Sequence, residues 1–252
     1  MNEQQYLTYL SHRFRRTFHD SYTPEWSCPH CDRGLLTLDR ESFYYIETSE
    51  SSERRREPDW EPEMTEYSFS ARFHCNRCYE QTFTVGTGRE AAYYDSSAEC
   101  GDVIYIDEFM PKFFFPTLKL FNVPKSCPDS IRKVVESCFA VAWADIPAGG
   151  NRLRVAIEKL VDDLQPPKRE SESLHSKINR LSSSYPQESR ILYAIKWLGN
   201  EASHDDNLEE HDLAFGFRSL DLVLRELYSK EKDEVAQLAE EIIKNKGPIR
   251  FG

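Results

Sequence analysis

Four of the seven cysteines form two pairs of equal spacing that could bind a metal ion. The pairs are Cys28/Cys31 and Cys75/Cys78, and 43 residues separate one pair from the other. Two residues between cysteines allow a tight turn that directs both sulfurs at one point, and four thiolates complete the tetrahedral coordination of zinc. A closed site of this kind leaves no position for water. We therefore predict one structural zinc ion per chain, against the alternative of four ordinary buried cysteines.

The segments around the two cysteine turns read as β-strands. Residues 35–46 are typical of one or two strands, and apolar side chains alternate in 67–73 and 79–85, which indicates half-buried strands. The order turn, strand, strand, turn, strand is that of an antiparallel zinc ribbon. His30 and His74 lie beside the cysteines and could each replace a thiolate. Because four cysteines suffice, we expect both histidines to be bystanders.

The remaining parts of the first half are predicted as irregular. Residues 49–66 are rich in acidic residues, contain two prolines and show no apolar period, so we expect a mobile, charged insertion. Residues 86–101 read as a loop, and residues 1–20 have apolar residues at helical spacing. Three prolines in 109–124 exclude a single helix there, and we expect an extended connector. The predicted first domain covers residues 1–108.

From Pro128 onward the apolar period becomes helical. Six stripes of apolar residues are separated by short links, and they lie within 131–142, 153–164, 174–181, 191–202, 213–227 and 235–243. Narrow stripes with short links favour an antiparallel helical bundle. The predicted fold class is therefore α+β, with an N-terminal zinc ribbon followed by a helical bundle domain over residues 109–252.

The fourth predicted helix has a second face that could form a site. Lys196, Asn200 and His204 follow one another at intervals of four residues on the side opposite the apolar stripe, with Tyr193 and Trp197 nearby. A purely solvated face does not need those aromatic residues. We therefore expect another helix or a second subunit to cover this face at least in part.

Two further charged residues belong to the second predicted helix. Arg154 and Glu158 are one turn apart outside its apolar stripe. They could pair with each other, or they could meet the fourth helix across the bundle.

The segment from Lys196 to His204, KWLGNEASH, resembles the (R/K)-x-x-G-N-x-A-x-H element of the bacterial domain-of-unknown-function family 4145. The helix that carries Arg154 and Glu158 resembles the R-x-x-x-E helix of that family. The family is similar to the HEPN superfamily of helical bundles, many of which are metal-independent ribonucleases of defence and toxin systems. The resemblance implies a HEPN-like bundle, a cleft between two subunits and a role in phage defence.

Two functions fit these residues, and the sequence does not decide whether the protein is an enzyme. The first is a zinc-containing binding or regulatory module that engages a protein or nucleic-acid partner, with Arg154, Glu158 and Trp197 as binding residues. The alternative is a ribonuclease with His204 as acid or base, assisted by Asn200 and Lys196. Lys196 stands where HEPN ribonucleases have an arginine, and lysine lacks the bidentate guanidinium geometry for a phosphate. Binding is therefore the leading interpretation.

Charge and hydropathy limit the partners. The net charge is −11, and residues 1–110 contribute −10 of it and contain no lysine. An acidic surface repels phosphate backbones, so we expect no non-specific DNA binding. Specific RNA, a protein partner or a homodimer formed through the helical domain remain candidates.

No apolar run is long enough for a membrane helix, and the first 20 residues lack a signal-peptide core. We expect a soluble, cytoplasmic protein.

Overall fold

A computed structural model describes residues 14, 16–94, 103–166, 169, 171–204, 208–229 and 231–249, with the backbone alone at 94, 203–204 and 231–234. An antiparallel sheet in the N-terminal half is followed by a helical region, as predicted. The strands are β1 (Leu36–Glu47), β2 (Glu66–Cys75), β3 (Gln81–Tyr94) and β4 (Val103–Phe115), and they neighbour one another in chain order.

Strand β4 and the length of β3 differ from the sequence-based expectation. Residues 86–94, predicted as a loop, continue β3, and residues 109–115, predicted as a connector, belong to β4. Pro111 is tolerated because the strand register shifts beside it, between Val85 and Gly86. A Cβ at Gly86 would lie 2.1 Å from the Met110 carbonyl oxygen. The glycine therefore allows two backbones to approach closely, and it does not mark a loop.

The sheet contains the predicted domain boundary and pairs with the end of the predicted N-terminal helix. The boundary between residues 108 and 109 falls inside β4, and we propose a boundary after Phe115, where the sheet ends. Phe18, at the end of the predicted N-terminal helix, forms an isolated β-bridge with Phe109 instead. Most of that predicted helix lies outside the described residues.

The charged insertion contains regular structure, contrary to our prediction of an irregular segment, whereas its mobility stays a prediction. Helix α1 (Ser49–Arg54) follows β1, and a 3-10 turn spans Pro62–Met64. The Ser51 hydroxyl is buried, donates to Glu47 and accepts from the Glu66 N–H. It thus connects the end of β1 to the start of β2. The Thr48 hydroxyl accepts from the Ser51 N–H and caps α1, which is a local polar signal that an apolar-period criterion does not detect.

The second half contains the six predicted helices. They are α2 (Asp129–Ala144), α3 (Ile146–Leu164), α4 (Leu174–Leu181), α5 (Pro186–His204), α6 (Glu210–Tyr228) and α7 (Glu231–Asn245). The Asp145 carboxylate accepts from the Ala148 N–H at 2.7 Å and caps α3 immediately after α2 ends. The apolar stripes of α2 to α6 form the core. The apolar stripe of α7 is exposed, so α7 is not part of that core.

An aromatic cluster joins the inner face of the sheet to the bundle. The Trp143 ring, near the C-terminal end of α2, lies 4.9 Å from the Phe114 ring and 5.9 Å from the Trp26 ring. The Arg16 guanidinium donates to the Trp143 carbonyl oxygen at 2.6 Å. Sheet and helices therefore share buried side chains. Within the described ranges, none of the helices has the length and apolar character of a membrane span.

Candidate functional site

The two cysteine turns have the same local geometry. The Asp32 N–H donates to the Cys28 carbonyl oxygen and the Tyr79 N–H donates to the Cys75 carbonyl oxygen, at 3.0 and 3.2 Å. Asp32 and Tyr79 have positive φ angles of 56° and 62°, which reverse the chain after each turn. One turn precedes β1 and the other connects β2 to β3. The pairing of Leu36 with Cys75 brings the two turns together.

The four sulfurs form a group of the right size for one metal ion. All four Sγ atoms lie within 4.8 Å of one another, with 3.7 Å between Cys28 and Cys78 and 3.6 Å between Cys31 and Cys75. A tetrahedral site with metal–sulfur bonds of about 2.3 Å requires sulfurs about 3.8 Å apart. Cys28 and Cys75 are buried, whereas Cys31 and Cys78 are partly exposed. The arrangement suits a closed, structural metal site.

Backbone groups favour the thiolate form of two of the four cysteines, Cys31 and Cys75. The Arg77 and Cys78 N–H groups point at the Cys75 sulfur from 3.3 and 3.4 Å. The backbone N–H of Arg33 lowers the pKa of the Cys31 thiol to about 6. Because metal ligands must be deprotonated, these N–H groups favour the metal-binding form of Cys31 and Cys75. Burial raises the pKa of the Cys28 thiol, and burial together with the neighbouring cysteine sulfurs raises that of Cys78. His30 and His74 are not part of the metal-ligand group found among the described residues.

A glycine makes room for one of the sulfurs. A Cβ at Gly34 would lie 2.3 Å from the Cys75 Sγ and 2.9 Å from the Arg77 Cβ. The Cys28 N–H donates to the Gly34 carbonyl oxygen at 2.8 Å, which holds the glycine backbone against the first turn. Only a residue without a side chain fits between the two cysteine turns.

Small residues create a close crossing of α3 and α5 at the second candidate site. A Cβ at Gly199 would lie 2.7 Å from the Arg154 Cβ and 3.1 Å from the Gly150 carbonyl oxygen. A Cβ at Gly150 would lie 2.8 Å from the Ala202 Cβ. The crossing therefore places Arg154 directly on the G-N-x-A element. Here the structure brings together the two segments that the sequence singled out.

Lys196 lies on the buried side of α5, together with Gly199 one turn later. Lys196 is only 8% exposed, and its Nζ lies 4.1 Å from the centroid of the Trp197 ring, which is itself 61% exposed. The Arg154 Nε is buried without a hydrogen-bond partner. Within the described part of the chain, neither cation forms an ion pair. Asn200 is half-buried beside them, and the side chain of His204 lies outside the described residues. We name Arg154, Lys196, Trp197 and Asn200 the cationic seam.

We expected another helix or subunit to cover the face of α5 that carries Lys196, and only some residues of this face are covered. Lys196 is covered, whereas Trp197 projects into solvent. The Tyr193 hydroxyl donates to the His175 carbonyl oxygen at 3.1 Å, so Tyr193 contacts α4 of the same chain. Helices of the same chain therefore cover this face of α5 only in part.

Glu158 does not belong to the seam. Its carboxylate accepts from Lys177 of α4 at 3.2 Å, and Asp162 lies 2.8 Å from the same Nζ. Lys177 is almost fully buried. It was overlooked in the sequence, although it lies one turn from Leu174 and Leu181 on the apolar side of α4. A charged residue inside an apolar stripe is the signal that could have identified it.

Two family models match the chain. One, described as "Domain of unknown function (DUF8608)", covers residues 16–114, and the other, described as "Domain of unknown function (DUF4145)", covers residues 136–246. No curated protein matches the chain significantly, and no solved structure does. The first model spans the sheet with its cysteine turns, and the second spans the helices with the cationic seam. The chain therefore combines an N-terminal DUF8608 domain with a C-terminal DUF4145 domain.

Proposed function

We propose that this protein is a binding module with a structural zinc ion, whose HEPN-like helical domain engages a specific single-stranded RNA in phage defence. The single observation that carries the RNA proposal is the cationic seam, where Lys196 lies against the exposed Trp197 indole and Arg154 packs against Gly199 of the same helix, both without a described carboxylate partner. A cation that is partly withdrawn from water is stabilised by an anion that compensates its charge. Lys196 and Arg154 therefore suit a phosphate supplied by the partner.

The exposed Trp197 supports a single strand over a duplex. Bases of single-stranded RNA stack on aromatic side chains, and each stacked base contributes about 1–3 kcal/mol. The Lys196 ammonium lies against the Trp197 ring, and Trp197 is largely exposed. The amide of Asn200 can hydrogen-bond to a phosphate or a base edge. Because the whole chain is strongly acidic, binding depends on this local site and not on general charge attraction.

Zinc is proposed for the four-cysteine group because thiolates are soft ligands and four of them in a tetrahedral arrangement are typical of structural zinc. Elemental analysis of purified protein should find about one zinc per chain. Purified protein that contains no zinc, and whose melting temperature zinc does not change, would contradict this part of the proposal.

RNA binding is tested with fluorescently labelled oligoribonucleotides and anisotropy on the full chain. Because a hydrogen bond to a charged group contributes about 1.5–3 kcal/mol, Lys196→Gln and Arg154→Gln should each weaken binding about tenfold or more. Trp197→Ala should weaken it by a similar factor. Lys159→Gln, which removes an exposed charge from α3 outside the seam, is the matched control. Equal affinity of all four variants and wild type would refute the site.

The same experiment separates binding from catalysis. The bound oligonucleotide is recovered and analysed on a denaturing gel. Intact RNA fits the binding module. RNA that wild-type protein cleaves and His204→Ala leaves intact would replace the module with the ribonuclease alternative, in which His204 transfers the proton and Lys196 stabilises the charge on the phosphate.

A further inference from the structure

Helix α7 exposes its apolar stripe. The stripe comprises Val235, Leu238, Ile242 and Ile243, which are 47–74% exposed. Each side chain described from 235 to 245 is exposed. A lone helix of 15 residues is marginally stable in water, and an amphipathic helix gains most of its stability from packing its apolar face. We therefore expect another protein surface to pack on this stripe.

The outer face of the sheet is a second unpartnered apolar surface. The strand register pairs Phe83 with Phe115 and Val85 with Phe113, and these four side chains are 50–76% exposed. Their neighbours along the strands, such as Thr84 and Phe114, are buried on the inner face. We name Phe83, Val85, Phe113 and Phe115, with Tyr44 in the same row across Ser70, the outer patch.

The charge of the outer patch favours a protein over a nucleic acid. Arg72 lies beside Phe83 in the strand register, and Asp39 forms an ion pair with it. The neighbouring positions Ser70 and Val85 are uncharged. Nucleic-acid surfaces need cations that are free to contact phosphates. An uncharged patch rich in aromatic side chains is instead typical of the centre of a protein–protein interface.

The two surfaces complement each other, because an amphipathic helix on one face of a sheet is a standard layer of protein folds. In one chain they lie far apart. Ser126 donates to the Tyr228 carbonyl oxygen, so α7 starts near the N-terminal end of α2, whereas Trp143 meets the sheet near the C-terminal end. The intervening part of α2 spans about 21 Å. The bundle also packs on the inner face, so the outer patch faces away from α7 of the same chain.

We propose that α7 of one copy packs on the outer patch of a second copy, and that two chains exchange these contacts reciprocally. The four exposed aromatic rings of the outer patch present roughly 500 Å², and the α7 stripe adds roughly 250 Å². Either surface alone falls short of the ~800 Å² per partner of a stable complex, and both together approach it. A reciprocal dimer buries both surfaces of each chain, which pairing of two α7 helices or of two sheets does not.

The test uses the full chain in sedimentation or light-scattering measurements. Wild type should form dimers at or below about 100 μM. Ile242→Glu impairs only the helix stripe and Phe113→Glu impairs only the outer patch, and each should weaken dimerisation at least about 30-fold. Gln237→Glu on the opposite side of α7 and Ile104→Glu at the far end of β4 are matched controls that should stay dimeric. Circular dichroism and zinc content verify that the variants are folded.

Mixing the two impaired variants provides the decisive measurement. The mixed pair retains one intact contact, because α7 of Phe113→Glu can pack on the outer patch of Ile242→Glu. The mixture should therefore dimerise more strongly than either variant alone, although more weakly than wild type, because one of the two contacts is lost. A dimeric Phe113→Glu would indicate that α7 helices pair with each other, and a dimeric Ile242→Glu would indicate sheet-to-sheet pairing. Either result, a monomeric wild type or a mixture that dimerises no more strongly than the separate variants would overturn the proposal.

Discussion

Replacing Gly34 with alanine should remove most of the metal affinity without touching a ligand. The added Cβ would lie 2.3 Å from the Cys75 Sγ, and ordinary contacts of a Cβ begin at about 3.4 Å, so the sulfur must move by about 1 Å. Metal–ligand distances tolerate only about 0.2 Å. Structural zinc contributes about 10–16 kcal/mol from four ligands, so the loss of one thiolate should cost roughly 3 kcal/mol, or about 100-fold in affinity.

The assay is a competition for zinc between the protein and a chromophoric chelator. Gly34→Ala should release its zinc at about 100-fold lower chelator concentration than wild type and should melt at a lower temperature. Gly247→Ala is the matched control, because the atom nearest to its added Cβ is 3.8 Å away. If Gly34→Ala retained zinc as tightly as wild type, the four sulfurs would not form the metal site described above.

Two further predictions concern the bundle. Gly199→Ala should destabilise the protein by about 1–2 kcal/mol in urea unfolding, because the crowding against Arg154 outweighs the gain of about 1 kcal/mol in helix propensity. Stabilisation would show that α3 and α5 do not cross closely. Glu201→Ala on the exposed side of α5 is the control. Lys177→Met should cost about 2 kcal/mol, since it leaves Glu158 and Asp162 unpaired but partly hydrated, and a second change, Glu158→Gln, should restore part of the loss. An unchanged melting temperature of Lys177→Met would show that the buried ion pair contributes nothing.

The features of the fold that depend on local spacing could be predicted from the sequence. The cysteine spacing identified the four clustered sulfurs, and the 3.6-residue period identified the six helices that the structure describes in the second half. The resemblance to family 4145 agrees with the DUF4145 match. The features that were missed depend on non-local contacts. Gly86 and Pro111 are loop signals in isolation, yet the partner strand gives both a place in the sheet. The stripe of α7 predicted a helix but not whether anything covers it.

The candidate site in the bundle was predicted in part for the same reason. The sequence placed Arg154 and the G-N-x-A element in separate helices, and only the crossing of α3 and α5 brings them into contact. Ideal helical geometry put Lys196 opposite the apolar stripe, whereas the side chain is covered. The long aliphatic stem of lysine can pack among apolar neighbours. Helix phase alone therefore does not determine its burial.

The aromatic cluster at Trp143 has a consequence for how the two domains evolve. The rings of Trp26 and Phe114 come from the DUF8608 domain, and Trp143 comes from the DUF4145 domain. A recombination event that exchanged one domain for a divergent relative would have to preserve ring shapes on both sides of the junction. Mismatched chimaeras would leave a void or a clash in a shared core. The two domains should therefore diverge together, with compensating changes at these three positions.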